Sequence, residues 1–274
     1  MASGEPFTPA GPVRGAAYRL LWRAAEAFHR AGHACVYAAA GLLRRRDLER
    51  ASRLLWREYG TLAADVDGGL EGWERRLYES VLQRGDRILL VGCGAGRDLL
   101  ALREQGYDVA GLDPTPELVE AARQHLARRG LSAPVQQGFV ETADLGGPYD
   151  VIVLAGNCYS FLPTAALRTA TLRRIREHLP PNGRVVITYT GAVRPPPMAI
   201  GVSCVMARLT RADWRPEPGD AFSRDYLQHR LVRYEHMFRE GEVARECERA
   251  GLRTVREVRT AGYYVVAVPA AQQS

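Results

Sequence analysis

One short stretch restricts the fold more than any other. Arg87-Ile-Leu-Leu-Val91 is a continuous apolar run that stops at Gly92-Cys-Gly-Ala-Gly96. A helical pattern follows from Asp98 to Gln105, and the next apolar run, Tyr107 to Leu112, ends on Asp113. A strand apolar on both faces has to be covered on both faces, which antiparallel surface sheets do not do. The same alternation continues downstream. Helical patterns at Pro116 to Arg129 and Leu167 to Leu179 separate strand candidates at Val135 to Val140, Tyr149 to Ala155 and Arg184 to Tyr189. Strands joined through helices imply right-handed crossovers and a parallel sheet wrapped by helices, an α/β doubly wound fold. After a helix from Arg239 to Ala250, the runs Leu252 to Arg259 and Tyr263 to Pro269 read as a terminal hairpin.

Glycine at positions 92 and 94 lets the backbone turn tightly and removes side chains where a ligand must lie close. Asp113 offers two acceptor oxygens, the chemistry that a ribose diol requires. Two ligands compete at this point. A dinucleotide site wants the spacing GxGxxG, with its third glycine at position 97, so that a helix N-terminus can hold a pyrophosphate. Position 97 is Arg97, and the third glycine is Gly96.

The spacing GxGxG, followed by the segments Gly111-Leu-Asp-Pro-Thr-Pro-Glu-Leu118, Tyr149-Asp-Val-Ile-Val-Leu-Ala-Gly-Asn157 and Leu179-Pro-Pro-Asn-Gly-Arg-Val-Val-Ile187, resembles class I (Rossmann-like) S-adenosylmethionine-dependent methyltransferases of the small-molecule type. The resemblance runs from about residue 85 to 269. It implies a seven-stranded, mostly parallel sheet of order 3-2-1-4-5-7-6 with strand 7 antiparallel, and S-adenosyl-L-methionine as cofactor. It also implies roles for particular residues. Gly92, Cys93, Gly94 and Gly96 would face the methionine part of the cofactor, Asp113 the ribose, and Pro114 and Leu118 the adenine. Where the family often has an acid for the adenine amino group, this chain has Phe139 and Val140, with Glu141 and Asp144 close by. A second acid common in the family, two residues before the first glycine, is Leu90 here. Asp98 is expected either to meet the methionine ammonium group or to serve only as an acid at a helix start. Tyr59 resembles the aromatic that closes over the cofactor in small-molecule members.

The sulfonium methyl is already activated, so the protein mainly has to align a nucleophile and exclude water. Candidates for the acceptor side are Asn157 and Tyr159, after the fourth strand, and His236 as a base, in an extended run just before the last helix. Two segments lie outside the core. Residues 1–84 read as a tail and a helical cap, with a kink at Gly41, and residues 85–274 as the cofactor-binding domain. Within the latter, 191–228 reads as an insertion shaping a pocket for an apolar or aromatic acceptor, such as a bacterial secondary metabolite. A lipid methyltransferase at the membrane surface and a cofactor-binding scaffold without chemistry are the alternative readings.

Composition excludes other chemistries. All 37 basic residues are arginine, so neither lysine Schiff-base catalysis nor a lysine-bearing P-loop can occur. The net charge of +6 gathers on residues 1–60, where ten arginines meet five acids, and no basic face for nucleic acid is expected over the core. Cys35, Cys93, Cys158, Cys204 and Cys247 are scattered, which fits no zinc site and no disulfide framework, and hence a cytoplasmic setting. No metal is expected. Membrane contact through residues 15–46 is conceivable but disfavoured against a packed cap, and a homodimer stays open.

Overall fold

A computed structural model describes residues 12–60, 66–191, 195, 197–224, 231–260 and 262–271. The chain begins with helices α1 (Pro12–Ala40), α2 (Arg45–Gly60) and α3 (Gly72–Val81). The core follows as β1 (Arg87–Val91), α4 (Arg97–Glu104), β2 (Asp108–Asp113), α5 (Pro116–Arg128), β3 (Val135–Gln137) and β4 (Val151–Leu154). A short 3-10 turn (Cys158–Phe161), α6 (Ala165–Glu177) and β5 (Arg184–Thr188) come next. Then come α7 (Pro197–Leu209), β6 (Asp220–Arg224), β7 (Val232–His236), α8 (Glu242–Arg249), β8 (Leu252–Val258) and β9 (Tyr264–Pro269).

Seven strands form one sheet in the order β3-β2-β1-β4-β5-β9-β8. The first five are parallel, and β9 runs antiparallel to both β5 and β8. This is the expected order, with β8 and β9 in the sixth and seventh places. The numbering shifts because β6 and β7 pair only with each other, in a separate two-stranded ribbon. The apolar run of β1 is buried from Ile88 to Val91, as a strand covered on both faces must be. Its alternate residues feed two apolar layers. Ile88 and Leu90 join the cluster under α3, α4 and α5, and Leu89 and Val91 the cluster under α6 and α8.

A third apolar cluster stands apart from the sheet. Tyr37 and Ala40 of α1, Leu48 of α2, Ile200 and Ala207 of α7, Trp214, Phe222 of β6 and Tyr234 of β7 pack together. Segments on either side of the core in sequence thus share one small core. The insertion reaches His236 and not residue 228, because β7 completes the ribbon. Gly41 marks the break between α1 and α2, and the reason is steric. A Cβ there would lie 2.4 Å from the Ser203 carbonyl oxygen of α7. Tyr37 fixes the same junction, with its carbonyl accepting from Ser203 Oγ at 2.6 Å.

Candidate active site

A cavity of about 410 Å³ opens at the C-terminal ends of β1, β2 and β4. Its floor is main chain. Gly92, Gly94 and Gly96 have φ of 73°, 53° and 94°, a region that side chains disfavour. Gly92 N and Cys93 N both donate to the Leu112 carbonyl, at 2.8 and 3.2 Å. A Cβ on Gly92 would also lie 2.8 Å from Cys158 Cβ, whereas one on Gly94 would meet nothing within 4 Å. Gly92 is therefore held by crowding and conformation together, and Gly94 by conformation alone.

Asp113 closes this floor. Its Oδ2 accepts from Gly94 N at 3.0 Å and its Oδ1 from Thr115 N at 2.8 Å. Burial raises its pKa above the ordinary carboxylate value, while the Thr115 and Gly94 amides pull the other way. Each carboxylate oxygen keeps a lone pair after these bonds, so a vicinal diol would supply the missing donors.

Beside the loop lies a charge cluster. Arg97 Nε donates to Asp98 Oδ1 at 2.9 Å, and Arg97 also bonds Glu74. Tyr78 donates its hydroxyl to Asp98 Oδ2 at 2.5 Å. Burial, reinforced by Asp98, raises the Glu74 pKa. Two carboxyl groups thus converge on one guanidinium beside the cavity. Asp98 is thus more than a helix-start acid, although both its oxygens are already engaged by the protein. Arg97, Glu74 and Tyr78 escaped sequence reasoning. The available signal was Glu71 and Glu74 at capping-box spacing, realised as Glu71 N donating to Glu74 Oε2 at 2.8 Å.

Of the residues expected near the cofactor, Gly92, Cys93, Gly94, Asp98, Asp113, Pro114, Leu118, Phe139, Val140 and Glu141 line the cavity. Gly96 does not. It is the left-handed residue that starts α4, and its Cα side packs on Ala122. The Tyr59 side chain lies outside the described residues. The roof is instead a face of α2, where Glu49, Ser52, Arg53 and Trp56 recur at helical spacing. Arg53 sits over the Phe139 ring at 5.5 Å, and Trp56 meets Phe161 edge-on at 5.2 Å.

The acceptor-side expectations divide. Asn157 lines the cavity, in left-handed conformation with φ of 58°, its N–H donating to Thr188 Oγ1 at 2.9 Å. Tyr159 and His236 need correction, because neither reaches the cavity. Tyr159 is fully buried and donates to Glu246 Oε2 at 2.6 Å. Glu246 in turn pairs with Arg168, itself without exposed surface, at 2.8 Å. His236 is equally buried, with Nδ1 2.7 Å from Asp220 Oδ1 and Nε2 3.1 Å from Glu242 Oε1. Burial opposes a charge on this imidazole, yet the bonds to Asp220 and Glu242 carry its pKa above the ordinary value. These are tertiary ties between the ribbon, α6 and α8. Cys158 also lines the cavity; burial pushes its thiol pKa far up, and Sγ lies 3.4 Å from the Val91 carbonyl. Among the described residues, no cluster could hold a metal ion.

The sheet order, the glycine loop and a buried acid at the end of β2 define the class I S-adenosylmethionine-dependent methyltransferase fold. A methyltransferase-domain family model matches residues 66–257, and the chain belongs to that family. S-adenosylmethionine is accordingly its cofactor. The chain is 34% identical over 135 residues to a ubiquinone biosynthesis O-methyltransferase of Azorhizobium caulinodans, a match covering 48% of this chain and 52% of that protein. It is 32% identical over 112 residues to dTDP-4-amino-2,3,4,6-tetradeoxy-D-glucose N,N-dimethyltransferase of Saccharopolyspora spinosa, over 41% and 43% of the two chains. The chain thus spans about half the length, or less, of these curated relatives. Among solved structures, a SAM-dependent methyltransferase from Methanosarcina mazei superimposes with a TM-score of 0.56 at 20% identity, covering 74% of this chain and 99% of that one. That likeness is one of fold.

Proposed function

We propose that this chain transfers the methyl group of S-adenosylmethionine to a small organic acceptor held beneath α2. The observation that carries this reading is a single cavity with two unlike halves. One half is the glycine loop with Asp113, suited to the cofactor's ribose. The other is the aromatic wall of Trp56 and Phe161 with Leu162 and Pro163. The first half fits the cofactor on its own chemistry: a buried carboxylate with spare lone pairs, and open space above Gly94. The carboxyl oxygens of Glu74 and Asp98, on the cavity wall, offer acceptors to the ammonium group of the methionine part.

When bound, the cofactor supplies a methyl group already activated by positive sulfur. The chain's own residues bind it, orient it and keep water away. Asp113 and the loop amides fix the nucleoside end, and α2 covers the cavity. The acceptor wall is apolar and aromatic on the Trp56 side, which favours an aromatic or apolar acceptor, as in secondary metabolism. The relatives named for a ubiquinone precursor pathway and for a nucleotide sugar agree with a small molecule as the acceptor class. Helices α1 and α2 and the insertion act together as the cap, through their shared core, while α3 packs on the sheet. Asn157 lines the acceptor end, and no histidine lines the cavity among the described residues. Isothermal titration with S-adenosylhomocysteine tests the reading. Saturable one-to-one heat is expected, and no heat together with no thermal shift would overturn it.

A further inference from the structure

The outer face of α1 is one of two exposed apolar helix faces among the described residues, the other being Met198, Val205 and Leu209 of α7. Leu20, Leu21 and Phe28 are 69%, 70% and 78% exposed, and Val13 is exposed as well. On a helix of 100° per residue these side chains fall on one side, together with the exposed Ala17, Ala24 and Ala31. Tyr37 and Ala40, which pack on the body, lie on the opposite side of the same helix. The apolar stripe therefore points away from the protein and is not a core contact left incomplete. The aromatic residues of α1 divide between its sides. Phe28 belongs to the stripe, Tyr37 is buried, and Trp22 turns to the other side, where it stacks with Tyr18 and bonds Glu26 at 2.8 Å.

The charge around the stripe has one sign. Arg14 borders one edge, and Arg23 and Arg30 border the other, with Arg19 just beyond. The helix carries one acid, Glu26, which is already engaged by Trp22 and pairs with Arg30 at 3.7 Å. Two copies joined face to face would bring arginines against arginines with no acid between them, which costs energy at short range. A surface of phosphate headgroups over hydrocarbon matches both components. No helix among the described residues is long and apolar enough to cross a bilayer, so the fitting geometry is a helix lying in the interface.

We propose that α1 docks this protein on anionic lipid membranes, with Leu20, Leu21 and Phe28 inserted and the flanking arginines at the headgroups. α1 leads through Gly41 straight into α2, whose inner face roofs the cavity. Docking therefore bears on the helix that precedes the cavity roof in the chain. The docking does not depend on the proposed methyl transfer.

The test is co-sedimentation of the full chain with vesicles of phosphatidylcholine alone and of phosphatidylcholine mixed with phosphatidylglycerol. At low salt, binding to the mixed vesicles should exceed binding to phosphatidylcholine by about fivefold or more, and high salt should remove most of it. The triple variant Leu20→Ser, Leu21→Ser, Phe28→Ser should lose about tenfold in vesicle affinity, because its inserted apolar area is gone. Its thermal unfolding and S-adenosylhomocysteine binding should stay at the wild-type level, since these side chains touch no core. Absence of binding to the mixed vesicles overturns the proposal, as does binding that the triple variant retains in full. A concentration-dependent dimer that sediments as a monomer in the triple variant, without vesicle binding, would reassign the stripe to a second copy of the chain.

Discussion

The two ends of the cavity are built in different ways. The floor of the cofactor end lies within one stretch, from Gly92 to Thr115, and is made almost wholly by main-chain groups: the left-handed Gly92 and Gly94, the Leu112 carbonyl and the amides that grip Asp113. The acceptor end is gathered from distant segments. Trp56, Asn157, Phe161 and Leu162 meet there, supported from behind by side-chain ties such as Arg168 to Glu246. A site of the first kind needs few residue types at fixed spacing. A site of the second kind depends on long-range packing, and its walls can change while the sheet stays the same.

Four measurements would break or sharpen this contrast. The largest effect is expected behind the acceptor wall. Arg168→Ala strands Glu246 in the interior and should cost about 3–5 kcal/mol in urea unfolding, with Arg168→Met plus Glu246→Leu recovering most of it. If the single variant were neutral, the acceptor side would not rest on that pair. Second, Asp113→Ala should weaken S-adenosylhomocysteine by about 100-fold in titration calorimetry, as charge-assisted bonds to a diol are lost. Unchanged affinity would show that the cofactor lies elsewhere. Third, Gly94→Ala should cost about 1–2 kcal/mol in stability through its positive φ alone, since nothing crowds the added methyl. A much larger loss would mean that contacts, and not backbone conformation, govern the loop.

The smallest effect concerns His236. Its folded pKa is raised by Asp220 and Glu242 against burial, so folding takes up a proton. The stabilisation is complete below the ordinary histidine value and is lost as pH rises through the folded value. The advantage of the wild type over His236→Gln in urea unfolding should therefore shrink as pH rises above the ordinary histidine value of about 6.5. A constant difference would show that the imidazole binds no extra proton in the folded ribbon.

The same contrast explains what could be read from the sequence. Strand order, glycine loop and Asp113 were legible because they rest on spacing and backbone conformation. Even there Gly96 differs from its neighbours, since a left-handed glycine can serve a helix start as well as a ligand. His236 and Tyr159 looked chemically apt, yet they are consumed by carboxylates on β6 and α8. Asp220 and Glu242 lie 16 and 6 residues from His236, and nothing in sequence spacing announces those bonds. The face of α2 was readable as an amphipathic helix, but not which cavity its Arg53 and Trp56 would cover. That depended on the shared core with α7 and the ribbon, formed by segments some 150 residues apart in a chain of 274.

The buried pair of Arg168 and Glu246 also limits how this sequence can drift. Glu246 alone is a buried charge without a cation, so replacement of Arg168 is penalised while Glu246 remains, whereas Arg168 alone would keep Glu217 at 3.3 Å. Loss of Arg168 is therefore expected together with a change at Glu246, 78 residues away. Tyr159 hangs on the same carboxylate, so the inheritance of the acceptor end is tied to a triad that never touches the acceptor.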